Sequence, residues 1–81
     1  MRVVAAALRH GDVIVTQPAP ARHHHLISAL NYLQVNPHDW EQGFLGDDGK
    51  FLTRFQARAA ALRAGQIRSC AHQELFSEDL W

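Results

Sequence analysis

Apolar and polar positions follow two rhythms along the chain, one of period two and one of period 3.6. Residues 2–8 are apolar and partly β-branched, Arg9-His10-Gly11-Asp12 supplies turn chemistry, and Val13, Ile14, Val15 and Thr16 form a second β-branched run. This pattern predicts an N-terminal hairpin. The prolines of "QPAPAR" lack backbone donors, so they stop the second strand and make an exposed connection. From His23 to about Leu33, the residues Leu26, Leu30 and Leu33 recur at i, i+4 and i+7 with Ile27 beside them, which predicts a helix that ends near Asn36-Pro37. After the polar stretch "VNPHDWEQ", Phe44-Leu45 and Phe51-Leu52 flank Gly46-Asp47-Asp48-Gly49, a loop that tolerates positive φ and predicts a second hairpin. Thr53 with Gln56 three residues on makes a capping box, and behind it an alanine-rich helix presents Phe55, Ala59 and Leu62 on one face and stops at Gly65. The order is ββαββα: a small single α+β domain over residues 1–81, with antiparallel hairpins and two helices packed on one face. The tail carries Ile67, Leu75, Phe76, Leu80 and Trp81, apolar enough to dock.

Length and charge narrow the range of partners. A chain of 81 residues buries only about 60–65% of the surface its unfolded form exposes, so self-association is an economical way to add burial and a homo-oligomer is expected. Eight Lys plus Arg balance eight Asp plus Glu, which argues against sequence-independent DNA or RNA binding, because that needs an excess of cations. A small anion held by two or three arginines remains compatible. The lone Cys70 can form neither an internal disulfide nor a zinc knuckle and reads as an ordinary cytosolic thiol. No apolar run reaches the roughly 18–20 residues of a membrane span, and "VVAAAL" is interrupted too early for a secretory signal, so no membrane partner is expected and the chain reads as soluble and intracellular.

Several residues invite a chemical reading. Arg9-His10-Gly11 after an apolar strand is how histidine acid phosphatases present their nucleophile, but that chemistry needs a second histidine, further arginines and a much larger α/β domain. Gly11 is better read as a turn residue, with Arg9 and His10 available for ligand contact at a hairpin tip. His23, His24 and His25 point about 100° apart on a helix and cannot all reach one ion, so no metal is assigned; one of them, beside Arg22 at the helix entrance, could meet a phosphate. Asp47-Asp48 is ordinary loop chemistry, and Glu78-Asp79 is the other acidic pair. Phe44, Phe51, Phe55 and Phe76 read as core before they read as base-stacking platforms. Arg54 opposes the helix dipole in the first turn of the second helix, a local rule broken in the way that a ligand or partner can enforce. No catalytic residue and no cofactor is assigned.

Nearly the whole chain resembles a family of small phage and prophage proteins. The resemblance rests on "RHGD" after the first strand, on "EQGFLGDDGKFLTRFQARAAALRAGQI", and on the closing "LFSEDLW", with Gln42, Gly43, Phe44, Gly49, Phe51, Arg54, Gly65, Gln66, Ser77, Glu78, Asp79 and Leu80 as the spaced set. The chain looks like the phage Thoeris anti-defence sponges of the first type. That resemblance implies a non-enzymatic binder, acting in the host cytoplasm, which sequesters cyclic ADP-ribose-type signals or cyclic oligonucleotides without cleaving them. It departs from the pattern at Gly46, where a Thr is expected, and at Phe55-Gln56-Ala57, which replaces an acid-rich turn. For such a ligand the expected lining is Arg9, His10, His24, Phe44, Phe51, Arg54, Ser77 and Asp79, with the arginines on phosphate, an aromatic ring on the base and Asp79 on a ribose. The alternative is a protein-binding inhibitor of a host defence complex, of the anti-CRISPR or anti-restriction type.

Overall fold

The structure, a computed structural model, describes residues 1–68 and 73–81. Cys70 lies outside the described residues. Four strands, β1 (Val3–His10), β2 (Val13–Pro18), β3 (Glu41–Gly46) and β4 (Phe51–Thr53), form one antiparallel sheet in the order β2-β1-β3-β4. Two helices, α1 (His23–Tyr32) and α2 (Arg54–Arg63), follow the two hairpins, so the chain runs ββαββα as its patterning predicts. The strand β1 runs on through His10, which leaves Gly11-Asp12 alone as the first turn.

Register decides which residues meet the helices. Ala6 pairs with Phe44 and Phe44 with Leu52, placing all three on one face of the sheet. On that face Ala6 and Leu8 pack with Leu26 and Leu30 of α1, while Val3 and Phe44 pack with Ala57 and Ala61 of α2 and with Leu75. A register shift between Val3 and Ala5 lets Val3 join the same face. The side-chain amide of Gln66 clamps this irregular strand start, accepting from the Val3 N–H at 2.6 Å and donating to the Val3 carbonyl at 2.7 Å.

The opposite face carries Ala5, Ala7 and Arg9 beside Leu45, Gly43 and Glu41. No helix covers it. The ring of Phe51 lies across Gly43 instead, and a Cβ at position 43 would stand 2.3 Å from that ring and 2.4 Å from the Leu52 carbonyl oxygen. Only glycine fits there, because β4 closes over the missing side chain with both the Phe51 ring and the Leu52 backbone.

The helix ends follow local chemistry. Thr53 Oγ1 accepts from the Gln56 N–H while Gln56 Oε1 accepts from the Thr53 N–H, closing the capping box at the start of α2. At its end the Gly65 N–H donates to Leu62 and the Gln66 N–H to Ala61, a Schellman turn with Gly65 at φ +71°. The end of α1 uses the same bonds, Gln34 to Asn31 and Val35 to Leu30, but places Gln34 at φ +62° without the freedom of glycine.

Two expectations from patterning are corrected, and one left open is settled. The helix α1 ends at Tyr32, and Leu33, beyond it, is 66% exposed rather than part of the apolar stripe. On α2 the buried face is Ala57 and Ala61, not Phe55, Ala59 and Leu62; Phe55 is 64% exposed. Helix α2 approaches the sheet through small residues, so its alanines set the docking face and its one aromatic side chain points away. The tail docks on its own chain: Leu75 is buried, Leu80 packs on the core, and Trp81 Nε1–H donates to the Ala21 carbonyl at 2.8 Å.

Replacing Gly43 with Ala drives a methyl group into the Phe51 ring and the Leu52 backbone of β4 and is expected to cost about 3 kcal/mol in urea unfolding. Gln34→Gly relieves a left-handed residue and is expected to add about 1 kcal/mol in the same assay. An unchanged unfolding midpoint in either variant contradicts the packing described.

Candidate functional site

The histidine triplet at the start of α1 divides into three roles. His23 is 7% exposed, sets its ring edge-on to Phe44 at 4.9 Å, and donates from Nε2 to the Gly43 carbonyl at 2.5 Å. His24 is exposed, with its ring 4.1 Å from that of His25. His25 accepts the Arg22 N–H at Nδ1, taking the place that an acid usually fills at a helix start. The three therefore share no ion. Among the described residues no group of three His, Cys, Asp or Glu could hold a metal.

Burial holds His23 below the ordinary histidine range, the Gly43 hydrogen bond opposes that shift, nearby Arg54 reinforces it and Glu78 opposes it. The ring is thus held neutral as a donor. Its neighbour Arg54 is the charged centre of the region. Arg54 leaves 22% of its side chain exposed, donates from Nη2 to Gln42 Oε1 at 2.5 Å, lies 3.9 Å through Nη1 from Glu74, and sits 5.3 Å above the ring of Phe76. Its Nε is buried and has no hydrogen-bond partner among the described residues. The misplacement of Arg54 against the α2 dipole is offset by these contacts, with one strong donor left over. Close by in the chain, Ser77 is buried and Asp79 Oδ2 accepts the Phe76 N–H at 2.9 Å, bracing the turn Ser77–Asp79. Arg22 ties the same end of the molecule together, donating from Nε to the backbone oxygen of Trp81 at 2.6 Å.

The eight residues expected to line a site are distributed between several places. Arg54, Ser77 and Asp79 belong to the region just described, and Phe44 underlies it as a fully buried core ring that offers no open face to a base. Arg9 and Phe51 meet on the helix-free face, where the Arg9 guanidinium lies 4.2 Å above the ring and 2.6 Å from Glu41. His10 is exposed beside Trp40 at 5.4 Å, and His24 stands exposed at the start of α1. Patterning passed over His23 and Gln42. The signal for His23 was present, since the stripe Leu26–Leu30 extended back by three residues falls on His23 rather than His24. Nothing local marks Gln42 as a partner of Arg54.

Fold and site together define a small α+β protein with an arginine-centred polar region beside a buried neutral histidine. The chain belongs to the phage T4 y16D protein family, whose model matches residues 2–81. No curated protein and no solved structure matches it. Among the described residues no helix is long and apolar enough to cross a membrane.

A histidine held neutral by burial binds its proton more weakly in the folded than in the unfolded chain, whose value is 6.5. Its contribution to stability is complete above that value and is lost as pH falls below it. Between about pH 7.5 and pH 5.5 the parent chain is expected to lose more stability than His23→Gln, which keeps an N–H donor without a titrating ring. Equal losses in the two proteins would contradict the burial of His23.

Proposed function

We propose that this phage-family protein sequesters a cyclic nucleotide signal, of the cyclic ADP-ribose type or a cyclic oligonucleotide, and suppresses host defence by withholding it uncleaved. The observation that carries this reading is Arg54, a half-buried guanidinium whose Nε–H is oriented and unpaired among the described residues. In this reading the region opens enough for a phosphate oxygen to complete that buried donor, and the planar fork of arginine matches a phosphate better than a lysine does. The ring of Phe76 lies beside Arg54 and is 37% exposed, and Ser77 and Asp79 border the same turn. Neutral overall charge suits a small anion better than a polyanion. In this reading a second copy adds burial that an 81-residue chain lacks.

A second reading, an inhibitor that covers a host defence protein, draws on the outer edge of β2, which pairs with β1 alone and exposes Val13 and Ile14.

The folded protein, mixed with cyclic ADP-ribose isomers and cyclic di- and trinucleotides, freed of unbound ligand and then heat-denatured, is expected to release an intact nucleotide. Arg54→Lys keeps the charge but loses the fork and is expected to weaken retention about tenfold. A cleaved product, or a folded protein that retains none of these nucleotides, contradicts sequestration; a nucleotide-independent complex with a host protein supports the second reading.

A further inference from the structure

A second groove lies on the other flank of α2, away from Arg54. It encloses about 630 Å³ between α2 and the β3–β4 hairpin, with Leu52, Ala59 and Ala60 among its apolar lining, Phe55 as its aromatic wall, and Lys50, Arg63 and Asp48 as its charged groups. Phe55 stands at the groove 64% exposed, on a helix that otherwise presents alanine and polar residues there. An exposed phenylalanine beside an unfilled apolar space is costly unless something planar lies against it.

The charges say what kind of molecule that is. Asp48 Oδ1 accepts the Lys50 N–H at 3.0 Å, so the one acid is engaged within the hairpin turn. Lys50 and Arg63 have no ion-pair partner among the described residues. The groove therefore combines one exposed aromatic ring, a floor of small apolar side chains and two cations without an ion-pair partner among the described residues, within the usual size of small-molecule sites.

We propose that this groove binds a planar aromatic anion of mononucleotide size, its ring against Phe55 and its phosphate between Lys50 and Arg63. This site is independent of Arg54 and does not require sequestration to be correct. Phe55 is exposed, so its removal leaves the core untouched, and Lys50 and Arg63 are likewise surface groups.

The test is an amide NMR titration of the full chain with adenosine 5′-monophosphate, and with adenosine as the uncharged control. Saturable shifts are expected at Leu52, Phe55, Ala59 and Ala60, at affinity several-fold higher for the nucleotide than for adenosine. Phe55→Ala is expected to weaken binding about tenfold or more, the magnitude of a lost base stack. Lys50→Gln with Arg63→Gln is expected to bring the nucleotide down to the level of adenosine, while Arg54→Lys leaves these shifts in place. The proposal is overturned by the absence of saturable shifts at these amides, by shifts unchanged in Phe55→Ala, or by loss of the shifts in Arg54→Lys. It is overturned equally if the same amides shift on dilution without nucleotide, which would make the groove a contact between copies of the chain.

Discussion

The missing side chain of Gly43 is the constraint on which both faces of the sheet depend. On one side the Phe51 ring lies flat over the backbone of β3, and the guanidinium of Arg9 lies over that ring. The Gly43 carbonyl, meanwhile, accepts the Nε2–H of His23 and pins the start of α1 to the central strand pair. A single position thus substitutes a ring for a missing layer on the open face and anchors a helix to the sheet. Because the core is shared between two small clusters, neither helix would be held firmly by burial alone. Hydrogen bonds of long sequence separation supply the difference, those of His23 to Gly43, Gln66 to Val3 and Trp81 to Ala21 among them.

Much of the spaced residue set running from Gln42 to Leu80 serves the fold itself. Gly43 and Phe51 are a packing pair, Phe44 is core, Gly65 ends α2 in the left-handed conformation, Gln66 clamps Val3, Leu80 packs on the core and Asp79 braces its own turn. Most of the signature is the frame of the fold. Arg54 is the member that the frame does not exhaust, since Gln42 and Glu74 engage the two ends of its fork while its Nε–H has no partner among the described residues. The local rule it breaks, a cation at a helix start, is compensated by neighbours drawn from β3 and from the tail, so the fold places that charge deliberately beside a histidine that stays neutral.

What could be read beforehand follows from how local each signal is. Both hairpins and the capping box are written within a few residues, and the structure contains all of them. On α2 four of the ten residues are alanine, spread round the helix, so no strong apolar stripe distinguishes the buried side and the one aromatic residue, Phe55, draws the assignment away from it. Leu33 was misread because periodicity continued past a helix that ends in a Schellman turn at Gln34, a residue that does not advertise positive φ. The site was legible in part. Arg54, Ser77 and Asp79 were named from the sequence, whereas Gln42 and the buried partner of Gly43 required strand register, which single-chain periodicity does not contain.

The central claim concerns one hydrogen on one nitrogen. The Nε–H resonance of Arg54 can be followed directly by nitrogen-15 NMR while cyclic ADP-ribose or a cyclic trinucleotide is added. A downfield shift of that signal, with slowed exchange with water at saturation, is what a phosphate oxygen completing the unpaired donor predicts. An Arg54 Nε–H that stays unchanged while a nucleotide binds elsewhere on the protein would contradict the account.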